Sequence, residues 1–206
     1  MSPVPRLASP ILTLGTTLAL ALTLGVAPAA AQGPGPAPSP ERLGWELGFG
    51  LYGGEINCEN ENGDFCDGVT EAAGFDLHAN YFFRPDLGVF IDVWPMIHTE
   101  NNWTFTHTVA AVGLKYRPAP IFTLSAGLGS AQARLRYDNV LGFEARSDTV
   151  PAILLGAAIE VVRGRSFAVD LQARVGVGFY EEDQNGNGEP DVVGRNIGLG
   201  AAFTWF

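Results

Sequence analysis

Apolar residues recur at every second position through eight stretches between residues 43 and 206. The first stretch, LGWELGFGLY from Leu43, sets leucine, tryptophan and phenylalanine against glycine and glutamate. The seventh, FAVDLQARVGVGF from Phe167, repeats the pattern with aspartate, glutamine and arginine on the second face. A period of two is typical of a β-strand whose faces meet different surroundings. The pattern therefore predicts eight strands.

Two stretches depart from simple alternation. Pro95 interrupts the third stretch and cannot donate to a hydrogen-bond ladder, which predicts a bulge or a strand end there. The fifth stretch runs from Phe122 to Tyr137, and its apolar series changes phase near Ser130. A single extra residue shifts the phase of a strand in this way, so we expect a β-bulge at that point.

The connections between the stretches alternate in length. Those after the second, fourth and sixth stretches are short, whereas those after the first, fifth and seventh are long and polar. The connection after the third, around Asn101 and Asn102, is shorter than the other polar ones. Short turns at one end and longer loops at the other are the plan of an outer-membrane barrel. We therefore predict an all-β fold, an eight-stranded antiparallel up-and-down transmembrane β-barrel.

The composition favours a chain covered by lipid rather than by water. Only 17% of the residues are charged, against about a quarter in soluble domains. Lys115 is the only lysine, although soluble sheets usually guard their edges with lysine. A soluble lipocalin-like carrier with the apolar face inside is the alternative, but its outer surface would then be rich in glycine. The net charge of −10 argues against nucleic-acid binding, which needs basic residues.

The mixed face of the strands is predicted to fill the barrel interior. An eight-stranded barrel is only wide enough for side chains to pack. Charges buried there must be partnered, so we expect a plugged polar core of ion pairs and hydrogen bonds. The residues predicted to form this core are Glu46, Asp76, His78, Asp92, Arg134, Glu160, Asp170 and Arg174. Arg136 and Arg195 belong to the same predicted inward series.

The first 42 residues have the organisation of an export signal followed by a linker. An apolar stretch from Ile11 to Val26 is followed by Ala29, Ala30 and Ala31, small residues suited to cleavage. Residues 1–31 are thus predicted to be a signal peptide, 32–42 a proline-rich linker and 43–206 the barrel. An uncleaved anchor is the alternative, although the apolar stretch is short for a span of about 20 residues.

The two cysteines, Cys58 and Cys66, lie in one polar stretch. In the oxidising compartment that an export signal implies, they are expected to form a disulfide. A pair of metal thiolates is the alternative, but other good ligands are lacking nearby.

One polar segment resembles the start of a calcium-binding loop. Asp183, Asn185, Asn187 and Asp191 offer side-chain oxygens at alternate positions, with glycine after the third. The closing acid is missing, because Gly194 stands at the twelfth position. Asn-Gly repeats also form ordinary turns, so both interpretations stay open. No other cofactor is indicated.

The histidines do not form a recognisable catalytic motif. His98 and His107 flank the Asn101 connection, and no acidic residue accompanies His107 in its strand. We therefore expect that the protein is not an enzyme. A lipid-modifying outer-membrane enzyme remains the alternative, together with narrow OmpW-like transport of small solutes.

The chain resembles the small bacterial outer-membrane β-barrel family that includes the OmpA transmembrane domain and the OmpX-like and opacity-type proteins. The resemblance lies in YFFRPDLG from Tyr81, GLKYRP from Gly113 and the terminal Phe206. It implies that the barrel-assembly machinery recognises Phe206. This chain departs from the pattern because its last apolar series runs from Trp205, so the signal could be read from either residue.

Together these features predict a monomeric, non-enzymatic protein of the bacterial outer membrane with its N-terminus in the periplasm. Its expected role is structural, in envelope integrity, or adhesive through the extracellular loops. The expected partners are outer-membrane lipid, lipopolysaccharide and the barrel-assembly machinery.

Overall fold

The computed structural model describes residues 43–60, 70–137, 143–180 and 192–206. The predicted signal peptide and linker therefore lie outside the described residues. The strands are β1 Gly44–Asn60, β2 Thr70–Arg84, β3 Leu87–Glu100, β4 Trp103–Ala119, β5 Phe122–Tyr137, β6 Phe143–Arg146, β7 Val150–Arg163, β8 Phe167–Tyr180 and β9 Val192–Trp205. Within these ranges no helix is long and apolar enough to cross a membrane.

Eight long strands close into a single barrel. Each pairs antiparallel with its chain neighbours, and β1 pairs with β9. Closure gives each of the eight long strands two partners, so the barrel itself has no open edge. The predicted eight-stranded, up-and-down antiparallel barrel is thus confirmed. The short β6 pairs with the last residues of β5 and is an addition to the predicted plan.

The barrel has two distinct ends. The turn end holds the short connections at 85–86, 120–121 and 164–166, together with the start of β1 and the end of β9. The loop end holds the Asn101–Asn102 connection and the other ends of the strands. Asn101 and Asn102 have φ values of 46° and 72° and form a two-residue hairpin turn. Positive φ at both central residues is the type I′ arrangement, which matches the twist of paired strands.

Alternation along the strands separates an outward from an inward face. In β1, Leu47, Phe49 and Leu51 point outward and are exposed, whereas Glu46 and Tyr52 point inward and are buried. The other long strands continue the exposed apolar surface around the barrel. The eight long strands have 14 to 17 residues, more than the roughly 9–11 that a tilted strand needs to cross a bilayer.

The predicted bulge or strand end at Pro95 is wrong. β3 continues through Pro95, which pairs with Thr108 of β4 without a change of register. Towards β2, the ladder is interrupted between Gly74 and Leu77 and resumes in the same register. The missing proline N–H is therefore accommodated by a gap in one ladder rather than by a bulge.

The predicted bulge near Ser130 is also wrong. β5 keeps one register with β4 from Leu124 to Tyr137, so the backbone does not shift. On its opposite edge, β5 pairs first with β7 and then with β6, and the register differs by one residue between these two partners. Arg134 pairs with Arg146 of β6, whereas Ala131 pairs with Val150 of β7. The irregularity lies at the junction between β6 and β7.

The phase change in β5 reflects a change of surroundings along a regular strand. Leu124 and Leu128 point outward near the turn end, whereas Gln132 and Arg134 occupy the same outward face near the loop end. The inward face becomes apolar there, as at Leu135 opposite Phe105. Near the loop end, β5 therefore has polar residues on its outward face and apolar residues on its inward face, the arrangement expected where water surrounds the barrel.

Candidate functional site

The barrel interior consists of a polar zone near the turn end and an apolar cluster towards the loop end. The polar zone contains buried carboxylates, amides and basic groups. The apolar cluster consists of Tyr52, Ile56, Phe90, Trp94, Met96, Val109, Ala111, Ala131, Ala152 and Leu154. The predicted polar core therefore shares the interior with an apolar cluster that was not predicted.

Arg174 of β8 is the centre of the polar zone. Its guanidinium lies 3.1 Å from Asp76 Oδ2 and 2.8 Å from Asp92 Oδ2. Its Nε donates to Gln172 Oε1 at 3.0 Å, and the Tyr52 hydroxyl donates to the same oxygen at 2.8 Å. The three charged groups are buried, so each needs the others to offset the loss of hydration.

His78 connects this centre to the last strand. Its Nδ1 lies 2.5 Å from Asp76 Oδ2, and its Nε2 lies 3.2 Å from Thr204 Oγ1 of β9. Gly48 leaves the space for the ring, because a Cβ there would lie 2.4 Å from His78 Nε2. The glycines on the inward face thus make room for polar side chains in a narrow barrel.

A second group of polar contacts lies closer to the turn end. Glu46 Oε1 lies 3.3 Å from Arg117, whose guanidinium stacks 4.1 Å from the Phe82 ring centroid. Glu160 forms an ion pair with Arg163. A cavity of about 20 Å³, room for about one water molecule, is lined by Asp170 and other polar residues of this region.

Asp76, His78 and Asp92 could together offer ligands to a metal ion, since their ligand atoms lie within 4.8 Å of one another. The fit is poor, because Arg174 already contacts both carboxylates and His78 Nδ1 faces Asp76. The guanidinium supplies the positive charge that a cation would bring. The cluster is therefore interpreted as a structural plug.

Seven of the eight predicted core residues lie on the inward face, but Arg134 does not. With no bulge in β5, Arg134 points outward at the loop end, and its side chain is 43% exposed. It donates to Glu144 Oε2 of β6 at 2.7 Å, and this bond lowers the pKa of Glu144. Arg136 and Arg195 share this outward face, so their lumen placement was also wrong.

Several residues of the polar zone were missed by sequence reasoning. Lys115 and Arg117 alternate with Leu114 and Tyr116 in β4 and point inward. Because they alternate with the apolar series of β4, the sequence pattern could have predicted that they point inward. Asn196, which contacts His107 nearer the loop end, was missed because placing Arg195 in the lumen puts the adjacent Asn196 on the other face.

Trp94 fills the middle of the interior. Its side chain is 0% exposed and meets Tyr52 edge-on, with ring centroids 5.7 Å apart. Gly176 and Gly198 of neighbouring strands face the indole, and a Cβ on Gly198 would lie 2.8 Å from Trp94 Cζ2. The indole, the tyrosine and the Arg174 network thus lie in contact with one another inside the barrel.

Two predicted sites depend on side chains that the structure does not describe. The Cys58–Cys66 pair and the calcium-binding set Asp183, Asn185, Asn187 and Asp191 lie outside the side chains described. The C-terminal pair is described: Trp205 is exposed on the outward face, and the Phe206 amide donates to Ser166 O at 3.1 Å.

The fold recurs in solved membrane proteins. Ail, the attachment invasion locus protein of Yersinia pestis, superposes with a TM-score of 0.52 at 15% identity, over 79% of this chain and 99% of Ail. This chain has the fold of a small outer-membrane β-barrel. Neisserial surface protein A has a TM-score of 0.51 at 11% identity, over 77% of this chain and 95% of that one. No protein-family model and no curated protein sequence matches the chain.

Proposed function

We propose that the protein is a closed, non-enzymatic outer-membrane barrel that acts through its loop end, in envelope integrity or adhesion. The observation that carries this proposal is the filled interior. Trp94 and Tyr52 pack above the Arg174 network, so the barrel offers little room for solutes to pass. Function is then left to the surfaces that face lipid and the medium.

The outward apolar band supports insertion in the membrane. Exposed side chains such as Trp45, Leu47, Leu77 and Leu114 form a surface that water would solvate poorly. Strand ends beyond this band carry polar outward residues at the loop end. In the proposed orientation the turn end and the N-terminus are periplasmic, because outer-membrane barrels keep their short turns there.

Arginines on the outward face support lipopolysaccharide as a partner. Arg134 and Arg146 lie opposite each other on β5 and β6, and both contact the single carboxylate of Glu144. Arg136 lies on the same face. Guanidinium groups gathered just beyond the apolar band suit the phosphates of an outer-leaflet lipid.

The C-terminal aromatics support recognition by the barrel-assembly machinery. Trp205 belongs to the exposed apolar series and stacks beside Phe203 and Phe49. We propose that this exposed end of β9 is the assembly signal, in a protein that functions as a monomer.

The proposal is tested in cells that express the wild-type protein, no protein, or a variant with residues 61–69 and 181–191 replaced by Asn-Gly turns. We expect attachment to surfaces or detergent resistance to fall in the deletion strain. The loop variant should lose attachment while keeping the mobility shift on heating that marks a folded barrel.

Two measurements distinguish the competing functions. Purified protein in planar bilayers should give no steady conductance, and stepwise current would instead support transport. Lipid A extracted from the wild-type and deletion strains should be identical, and an altered acyl pattern would support the lipid-modifying enzyme.

A further inference from the structure

A second feature of the interior is a cavity of about 580 Å³ at the loop end. It is lined by residues of β1, β4, β5, β6, β8 and β9, together with Ser147, and Arg134 and Arg146 lie at its polar margin. The apolar part of its wall is formed by Ile56, Phe105, Ala133, Leu135, Phe143 and Ala145. Small-molecule sites are usually concave, largely apolar and of about 300–1,000 Å³, so this cavity has the size and lining of a ligand site.

His107 lines the cavity beside Gly194, and its ring carries a buried polar atom that has no partner. Its side chain is 1% exposed, and its Nε2 makes no hydrogen bond among the described residues. Its Nδ1 lies 2.7 Å from Asn196 Oδ1, while Asn196 Nδ2 donates to the His107 carbonyl at 3.2 Å. The second bond fixes the amide so that Oδ1 accepts from Nδ1–H.

This arrangement sets the chemical character of Nε2. With the proton on Nδ1, the neutral ring presents a lone pair at Nε2. A buried acceptor without a donor is costly, and such groups in native structures call for an explanation. A ligand that carries a hydroxyl group would satisfy it.

Tyr180 strengthens the polar side of the cavity. Its ring lies 5.9 Å from the His107 ring, centroid to centroid. Its hydroxyl lies near Ser147 but makes no hydrogen bond of normal geometry among the described residues. Burial raises the pKa of Tyr180 to about 12, so the phenol remains a donor at neutral pH.

We propose that this cavity binds a small, largely apolar molecule with a hydroxyl group, which donates to His107 Nε2. The apolar walls hold the body of the ligand, and the histidine sets its orientation. The site lies towards the loop end from Trp94, so binding requires no passage through the barrel. The inference is independent of the adhesive role proposed above.

The test uses two photoreactive probes, 4-hydroxybenzophenone and its methyl ether, with the protein in lipid nanodiscs. Both partition into lipid, but only the phenol can donate to His107. We expect the phenol to label the peptides around Phe105, Ala133 and Phe143, about 3- to 10-fold more than the ether, as one hydrogen bond would give. Equal labelling by both probes would overturn the proposal.

Matched variants separate the cavity from the bilayer. Ala133→Phe fills the cavity and should abolish labelling there, whereas Ala110→Phe lies on the outward face and should leave it unchanged. His107→Phe should remove the preference for the phenol. The heat-induced mobility shift verifies folding of each variant, and the two-probe comparison on the wild-type protein needs no variant. Undiminished labelling in a folded Ala133→Phe variant would show that the probes bind elsewhere.

Discussion

The space and the charge inside the barrel determine which side chains can be accommodated there. Trp94 fits because Gly176 and Gly198 leave room for its indole, and Arg174 is stable because two carboxylates face it. Neither pairing is visible in the sequence, since the partners lie on different strands far apart in the chain. The period-two pattern indicates that Asp76 and Arg174 both point inward. Whether they come into contact depends on the register of the strands around the barrel, which the pattern does not show.

The space around Trp94 gives the first prediction. Gly198→Ala should destabilise the folded barrel by about 1–3 kcal/mol, because the added methyl group overlaps the indole. Gly53→Ala is the control, since a Cβ there meets no atom within 4 Å. Urea unfolding in lipid vesicles, followed by tryptophan fluorescence, measures both. Equal stability of the two variants would contradict the described packing.

The charge of Arg174 gives the second prediction. Arg174→Met should cost about 3–5 kcal/mol, because Asp76 and Asp92 are then left buried without their cation. The matched control is Arg84→Met, which removes an exposed pair with Asp86 and should cost no more than about 1 kcal/mol. The same unfolding experiment compares them, and a small loss in Arg174→Met would show that the network is hydrated or rearranged.

At the scale of elements, periodicity was sufficient to predict all eight barrel strands, but not their local irregularities. The phase change near Ser130 was interpreted as a bulge because a single apolar face was assumed along the whole strand. In the structure, β5 passes from an apolar to a polar exterior, and the inward residues become apolar in exchange. That error moved Arg134 into the predicted core. A pattern along one strand cannot distinguish a shifted backbone from changed surroundings.

The hairpin between β3 and β4 gives the third prediction. Asn102 has a φ of 72°, which asparagine and glycine adopt more readily than a β-branched residue. Asn102→Val should therefore cost about 1–2 kcal/mol, and Asn102→Gly should be neutral or slightly stabilising. Refolding yields and unfolding midpoints in lipid check the difference. A tolerated valine would contradict the type I′ turn.

At the scale of the whole molecule, the sequence was sufficient to predict the closed barrel and the polar zone, whereas the apolar cluster and the cavity were missed. Tyr52, Trp94 and Phe105 occupy inward positions in an interior that was predicted to be polar. The missing information is the position of the membrane along the strands. The apolar outward face covers only part of each long strand. In the part of the barrel beyond this band, the inward side chains can be apolar.

The central claim is that the outward apolar row meets lipid while the interior packs against itself. Single-tryptophan variants that retain only Trp45, Trp94 or Trp205 test it in bilayers of lipids with brominated acyl chains, which quench nearby indoles. Trp45 and Trp205 are 68% and 48% exposed on the outward face, whereas Trp94 is 0% exposed. We expect strong quenching of Trp45 and Trp205 and little quenching of Trp94. Quenching of Trp94 as strong as that of Trp205, or protection of both outward indoles, would contradict the account.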